Sequence, residues 1–299
     1  MSRSRNANRL AKKIRNQTQL TLSTASRLAQ QADAYLGSSI EDSPDPRQRR
    51  LEAHIAHVLA GSFQDHQLNG ALLGIREAEP EGQSVKLTLE SAMADEVLRE
   101  LLPRFDHLYG GLRGVPGLRV RGSRKRLILH DTASSAQVTV VRDDGRSFRL
   151  PTARDSEVLL WQRFSRDVSR DERQEAKGWK NSRAIDDPRV RDLLFSRMLR
   201  SPELVNRTAA PHGFANCYTH HEGDLVIEWC CGVTVESLCA TFLAHGFVDA
   251  VPRSNAIDLV SRHSARLGGR TVILNRHGSC LYGRNAQHIA ESIRKGYRS

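Results

Sequence analysis

Apolar residues recur at helical spacing in the first part of the chain. From Ala7 to Ile14 they lie three or four residues apart, and the same interval returns from Ala25 to Leu36. Because one helical turn holds 3.6 residues, each set lies on one face of a helix. Residues 1–36 are therefore predicted to form a module of two amphipathic helices.

A different composition follows this module. The stretch from Gly37 to Pro46, GSSIEDSPDP, combines turn-forming residues with the first cluster of acids in the chain. Such punctuation breaks helical periodicity and is typical of connections between folded units. Residues 37–46 are predicted to be a linker.

The pattern of residues 47–150 predicts an α+β unit that ends in an antiparallel meander. Helices are expected from Arg47 to about Leu73 and from Ala92 to Leu102, and alternation predicts strands at 85–89, 118–121 and 127–130. Two further alternating segments, 137–141 and 147–150, flank Asp144-Gly145. Since Asp-Gly is a strong two-residue turn signal, these two are predicted to pair as a hairpin.

Residues 151–299 predict a second, mixed α/β domain, so the fold class of the whole chain is α+β. Helices are expected at 158–164, 190–199, 235–245, 256–267 and 286–295, and strands at 225–229 and 271–274. The highly charged stretch between the first two of these helices is expected to be a solvated helix or loop.

The charge balance indicates which kind of partner to expect. Lys and Arg number 45 against 34 Asp and Glu, which gives a formal net charge of +11. Cationic proteins attract phosphate backbones at long range, so a nucleic acid is the expected partner. No stretch is long and apolar enough to cross a membrane, and no membrane partner is expected.

Compartment and common enzyme classes follow from what the sequence contains. The five cysteines all lie in the last third, and no apolar signal-peptide core begins the chain. Reduced thiols in a cytoplasmic protein are expected, and association with the nucleoid stays open. Organellar import stays open because the first 32 residues carry seven cations and no acid. Without a GxxxxGK[ST], GxGxxG, HExxH or GxSxG motif, no cofactor is predicted.

The segment from Leu10 to Leu36 resembles the helix-turn-helix that opens the LacI-type repressors. Thr24-Ala25-Ser26-Arg27-Leu28 stands where that family has Thr-Val-Ser-Arg-Val, and Gln19 stands at the turn position. The resemblance implies a second helix in the major groove of DNA. The residues implied to contact bases or phosphates are Lys12, Lys13, Arg15, Ser23, Thr24, Ser26 and Arg27.

A second resemblance lies at residues 85–105. There a strand, Ser91, a helix with Leu98-Arg99 and Leu101, and Pro103 resemble the DciA-like helicase-operator family, although Ala94 stands in place of its Trp. That resemblance implies a KH-like fold that works with DNA and a replicative helicase.

A basic run in the central unit predicts a second binding surface. It consists of Arg113, Arg119, Arg121, Arg124, Lys125 and Arg126, with Asp106 as the nearby acid. Because alternate residues of a strand share a face, these side chains are predicted to line a groove that follows phosphates. The alternative is an ordinary solvated sheet face.

Metal binding and catalysis are weaker possibilities. His212, Cys217, His220 and His221 are candidate zinc ligands, but no CxxC supports them and buried cysteines are the alternative. Asp224 and Glu228 flank an apolar strand in a way that a metal-dependent nuclease could use.

These observations favour a DNA-binding protein without catalytic activity that is regulatory or accessory to replication or transfer. DNA is expected more than RNA. One alternative is a metal-dependent enzyme that acts on nucleic acid through the C-terminal His, Cys and acidic groups. Another is an adaptor with a protein partner or a second copy of itself.

Overall fold

The computed structural model describes residues 8–9, 11–12, 15, 22–35, 42–62, 72–164, 167–180, 188–206, 215–219, 225–229, 233–249, 260–267 and 270–277. Helices and mixed sheets together make an α+β fold, which confirms the predicted class. The helices are α1 (Leu22–Tyr35), α2 (Pro46–Ser62), α3 (Ala94–Leu101), α4 (Leu160–Arg163), α5 (Arg170–Lys180), α6 (Pro188–Arg200), α7 (Pro202–Asn206) and α8 (Val235–Ala244).

The strands of the described residues form three sheets. A five-stranded sheet contains β1 (Ile75–Glu81), β2 (Ser84–Leu89), β5 (Leu118–Ser123), β6 (Arg126–Asp131) and β7 (Gln137–Arg142). A three-stranded sheet contains β3 (Arg104–Asp106), β4 (Gly111–Arg113) and β8 (Glu157–Leu159). A four-stranded sheet contains β9 (Ala215–Thr219), β10 (Leu225–Trp229), β11 (Val260–Leu267) and β12 (Arg270–His277).

The five-stranded sheet has the order β1-β2-β7-β6-β5. Strands β5, β6 and β7 form an antiparallel meander, and β7 also pairs in parallel with β2. Val85, Leu87 and Leu89 of β2 are buried as their alternation predicts, because every second side chain of a strand points to the same face. This sheet carries the cations that the sequence singled out.

The predicted hairpin at Asp144-Gly145 is wrong. A turn does follow β7, with Gly145 at φ 66°, but residues 147–150 form no strand. Both edges of β7 are already occupied, by β2 and by β6, so the chain after the turn has no edge to join. Phe148 is instead buried, and its backbone N–H donates to the carbonyl of Arg124.

Two helices predicted in the second half of the chain also need correction. Within the predicted helix 256–267, residues Val260–Leu267 form β11, antiparallel to β12. Gly268-Gly269, between the register partners Leu267 and Arg270, is the hairpin signal that the helical reading overlooked. Of the predicted helix 158–164, only residues 160–163 are helical, since Val158 pairs with Phe105 in β8. The predicted helix 286–295 lies outside the described residues.

Helices α2 and α6 pack together beside the five-stranded sheet. Leu51, Ile55 and Leu59 of α2 lie four residues apart on one helix face and are buried. They belong to one apolar cluster that also contains Phe195 of α6 and Trp229 of β10. This cluster crosses the predicted domain boundary near residue 150. The boundaries themselves remain a prediction.

A buried carboxylate joins the two helices. Glu52 of α2 accepts hydrogen bonds from Arg200 Nε at 2.8 Å and Ser196 Oγ at 2.6 Å, both on α6, and from Gln48 Nε2 at 2.9 Å. Both Glu52 and the Arg200 side chain are almost fully buried, so the ion pair is dry. The contact sets the orientation of α2 against α6.

The N-terminal helical residues contact the body of the protein. Residues 8–9, 11–12 and 15 are helical, and α1 follows them, in agreement with the predicted helix pair. Ala11, Ala25 and Ala29 form a small buried cluster with Ala240 of α8. The described part of the predicted linker also contacts the body, because Asp42 Oδ2 accepts from Arg197 Nη2 at 2.6 Å.

In the described part of the chain, the helices are all too short or too polar to cross a membrane.

Candidate nucleic-acid interface

The N-terminal helix pair presents cations to solvent. Arg9, Lys12, Arg15 and Arg27 are exposed, and none of them forms an ion pair with another described residue. On α1, Arg27 lies two residues from both Ala25 and Ala29, so its side chain points away from the buried alanines that contact Ala240 of α8. Lys12, Arg15 and Arg27 are three of the residues that the helix-turn-helix resemblance singled out.

The structure describes the other residues of that resemblance to different extents. Ser23 is exposed and Ser26 is partly buried, both on α1. Thr24 lies on α1 as well, but its side chain is outside what the structure describes, and Lys13 lies outside the described residues altogether.

The turn between β5 and β6 carries a second exposed cationic group. Arg124 and Lys125 occupy the tip, are exposed, and have no acidic partner among the described residues. We call these two residues the hairpin tip. Of the central basic run, they are the two cations that have no local partner among the described residues.

Three other cations of this run have local partners. Arg121 donates to Gln137 Oε1 at 2.9 Å, and Arg126 forms an exposed ion pair with Glu81. The guanidinium of Arg113 lies 3.6 Å from the ring centroid of Tyr109, itself 59% exposed. This cation–π pair leaves a flat aromatic and guanidinium surface open to solvent. Tyr109 was not among the residues that the sequence singled out.

Arg119 is where the predicted basic groove is wrong. Its side chain is 2% exposed, and its Nη1 and Nη2 donate to Glu172 Oε1 and Oε2 at 2.9 and 3.1 Å. It also donates to the carbonyls of Phe164 and Asp167 at 2.7 and 2.6 Å. Every direction of its planar fork is thus used inside the protein, so Arg119 cannot contact a phosphate.

The partner of Arg119 begins helix α5. Ser169 Oγ accepts from the N–H of Glu172, and Glu172 Oε2 accepts from the N–H of Ser169, which is a capping box. Glu172 Oε1 also accepts from the N–H of Gly117 at 2.9 Å. Gly117 has φ +77°, a conformation that side-chain-bearing residues rarely adopt.

The environment of Glu172 favours its charged form. Burial raises the pKa of this carboxyl, but the hydrogen bonds from Arg119, Ser169 and Gly117 together outweigh it. The pKa of Glu172 therefore lies below its ordinary value, and the group is a carboxylate at neutral pH. The bidentate ion pair holds the first turn of α5 against β5.

The last turn of α5 is held by aromatic contacts. Trp179 packs edge-on against His54 and His57 of α2, with ring centroids 4.0 and 4.8 Å apart. Arg191 of α6 stacks on Trp179 at 3.6 Å and donates to its carbonyl at 2.9 Å. The helix that was predicted to be a solvated stretch is therefore anchored at both ends.

A cavity of about 490 Å³ lies beside α5. We call it the α2–α5 cavity. Its wall is formed by Arg47, Arg50, Leu51 and His54 of α2, by Arg173, Ala176 and Lys177 of α5, and by Val115, Pro116, Gly117, Asp131, Ala133, Ser134 and Val168. This cavity was not predicted from the sequence. Its only signal was the run Arg47-Gln-Arg-Arg50, read as part of a helix.

The cavity and the hairpin tip lie at opposite ends of the β5–β6 ribbon. Gly117 precedes β5, and Arg124 follows it. At a rise of about 3.3 Å per residue, a strand of this length spans roughly 17–20 Å. A ligand confined to the cavity would therefore not reach the hairpin tip.

Of the four predicted zinc ligands, the described residues include Cys217 alone. Cys217 lies on β9 opposite Ile227, while His212, His220 and His221 lie outside the described residues. The described ranges contain no group of three or more His, Cys, Asp or Glu side chains that could hold a metal ion. Glu228 accepts from Asn275 Nδ2 at 2.9 Å, and Asp224 lies outside the described residues.

Comparisons of the chain with protein-family models, with curated proteins and with solved structures give no match. The two family resemblances stay predictions.

Proposed function

We propose that this protein binds nucleic acid, DNA in preference to RNA, as a non-catalytic regulatory or accessory factor. The observation that carries the proposal is that the N-terminal helix pair and the hairpin tip present six exposed cations that have no acidic partner among the described residues: Arg9, Lys12, Arg15, Arg27, Arg124 and Lys125. A phosphate backbone that contacts these cations displaces counterions without having to break an internal ion pair.

The preference for DNA rests on the N-terminal helix pair. There the exposed cations accompany a helix whose Ser23 and Arg27 lie one turn apart on the same face, as the helix-turn-helix resemblance implies. A cytoplasmic location belongs to the same proposal.

The adaptor is a second candidate, and one observation favours it. Leu108 is 89% exposed and lies next to the exposed Tyr109. Exposed apolar and aromatic side chains of this kind are enriched at protein interfaces. Binding to a protein through these residues would not require the cations of the N-terminal helix pair.

Charge-removing variants test the main proposal. Replacing Lys12, Arg15 and Arg27 with Gln should weaken duplex binding substantially, and Arg124→Gln with Lys125→Gln should weaken it less, because fewer charges are removed. Affinity is measured by fluorescence anisotropy with labelled duplex at one ionic strength.

Phosphate contacts carry no base information, so the hairpin-tip variant should lose affinity equally on unrelated duplexes. Leu108→Ala should leave duplex binding unchanged. Duplex affinity that survives removal of all five cations would contradict the proposal.

A further inference from the structure

The described lining of the α2–α5 cavity carries an excess of positive charge. Four cations line it, Arg47, Arg50, Arg173 and Lys177, against the single carboxylate of Asp131. Of the four, only Arg50 has an ion-pair partner among the described residues, Asp192 at 3.5 Å.

The carboxylate of Asp131 accepts hydrogen bonds within the turn that follows β6. Asp131 Oδ1 accepts from the N–H of Ala133 at 3.1 Å, and Oδ2 accepts from Ser134 Oγ at 2.6 Å. Asp131 therefore closes the β6–β7 turn, and no described ion pair joins it to a cation of the cavity. Three cations without an ion-pair partner among the described residues therefore face one concave space, whose described lining contains a single carboxylate, Asp131.

Helix α5 presents two of these cations on one face and is itself anchored to the body of the protein. Arg173 and Lys177 lie four residues apart, so they share one face of α5, with Ala176 between them. The buried Glu172 anchors the first turn of α5, and Trp179 anchors its last turn. The helix that carries these cations is thus positioned before a ligand binds, which lowers the entropic cost of binding.

The remaining wall is largely apolar. Leu51 and Val115 are buried, Val168 and Pro116 are partly buried, and the imidazole of His54 adds a flat surface. A bare phosphate would contact the cations and leave this wall uncovered. A small carboxylate would carry a single charge opposite three cations.

We propose that the α2–α5 cavity binds a mononucleotide unit. Its phosphate would be held by Arg47, Arg173 and Lys177, and its base would lie against the apolar wall. The volume of about 490 Å³ falls within the range of about 300–1,000 Å³ found for small-ligand sites. A phosphate monoester carries close to two negative charges at neutral pH, which matches the excess of cations.

Two sources can supply this chemistry: a free nucleotide, or the 5′-phosphorylated end of a strand. The site does not depend on backbone binding by the N-terminal helices and the hairpin tip, because neither contributes a residue to the cavity.

Calorimetric titration of the full-length protein tests the proposal. The probes are AMP, GMP, CMP and UMP, their nucleosides, and inorganic phosphate. We expect at least one nucleotide to bind about tenfold or more tightly than both its nucleoside and inorganic phosphate, because only the nucleotide contacts both parts of the cavity. If none of the nucleotides binds measurably, or if inorganic phosphate binds as well as each of them, the proposal is wrong.

A double variant locates the site. Arg173→Gln with Lys177→Gln removes two cations at exposed helical positions with a good helix former, so the fold should be kept. It should abolish the advantage of nucleotide over nucleoside. The matched control is Arg149→Gln with Arg170→Gln, which removes two exposed cations that do not line the cavity. Equal nucleotide affinity in the two variants would overturn the assignment.

A pair of short single-stranded oligonucleotides, one with a 5′-phosphate and one with a 5′-hydroxyl, distinguishes the two sources. A strand end as the source predicts tighter binding of the phosphorylated strand, lost in the Arg173→Gln/Lys177→Gln variant. A free nucleotide as the source predicts equal binding of both strands. Failure of duplex binding in the hairpin-tip variants would leave the nucleotide titrations unaffected, so the two proposals can fail separately.

Discussion

The basic run around β5 and β6 and the helix α5 differ in how the charges of the sequence relate to the cations that can contact a ligand. The basic run contains six cations, yet Arg119 is buried against Glu172, and Arg113, Arg121 and Arg126 have local partners. Helix α5 mixes cations with acids, yet its Arg173 and Lys177 face a cavity without ion-pair partners among the described residues. Charge density along a sequence does not show which cations remain free.

One residue pair links the two regions. Glu172 neutralises Arg119 of the basic run and, in the same contact, fixes the first turn of α5. A cation predicted to bind phosphate therefore shapes the cavity instead. Of the changes considered below, removing this contact should have the largest effect on stability.

Glu172→Ala should have the largest effect on stability. It leaves the Arg119 guanidinium buried and uncompensated, which costs about 3–5 kcal/mol when one member of such a pair is lost. Urea denaturation followed by circular dichroism measures the change. Arg124→Ala, at an exposed position of the same ribbon, should change the free energy of unfolding by less than about 0.5 kcal/mol.

The double replacement Arg119→Met with Glu172→Met supplies the control for this prediction. It removes both charges together, so it should destabilise the protein less than Glu172→Ala alone. If Glu172→Ala were as mild as Arg124→Ala, the buried ion pair would not hold α5 in the way described.

A histidine beneath α5 should make stability depend on pH. Burial, and secondly the charge of Arg191, lower the pKa of His57 from 6.5 to about 4. Between these values the unfolded chain binds a proton that the folded state rejects. The free energy of unfolding should therefore fall as the pH falls from 6.5 to 4, by roughly 3 kcal/mol from this group.

Urea denaturation of His57→Phe across this pH range checks the prediction, because the variant cannot titrate there. On the ribbon, burial and then the charges of Arg121 and Arg119 lower the pKa of His130 as well, with a smaller shift than at His57. His130→Phe should flatten the pH profile less. An unchanged pH profile in His57→Phe would show that His57 is not the group responsible.

The sequence predicted those elements whose local pattern agrees with their final environment. Strand β2 alternates cleanly, and α2 repeats apolar residues every four positions, so both were found. The hairpin at Asp144-Gly145 was predicted wrongly because a turn signal says nothing about whether the preceding strand has a free edge. Pairing with β2, distant in sequence, decided that point.

The candidate site was less predictable than the fold for a similar reason. The acid that neutralises Arg119 lies 53 residues away in the sequence, on a segment that had been read as a solvated stretch. The cavity joins Arg47 to Lys177 through the docking of α5. By contrast, Lys12, Arg15 and Arg27 of the N-terminal helix pair were singled out because the helical periodicity and the helix-turn-helix resemblance depend on neighbouring residues alone.

The central claim is that exposed, unpaired cations bind a phosphate backbone, and the salt dependence of duplex binding tests it most directly. Each phosphate contact contributes about −0.9 to the slope of log K against log salt, so the six cations of the proposal predict a slope approaching about −5. The slope should become shallower by about two units in Arg124→Gln/Lys125→Gln. It should become steeper by up to about one unit in Glu81→Gln, because that variant releases the exposed Arg126 from its ion pair. An intact-chain slope shallower than about −2, or one that the hairpin-tip variant leaves unchanged, would contradict the account.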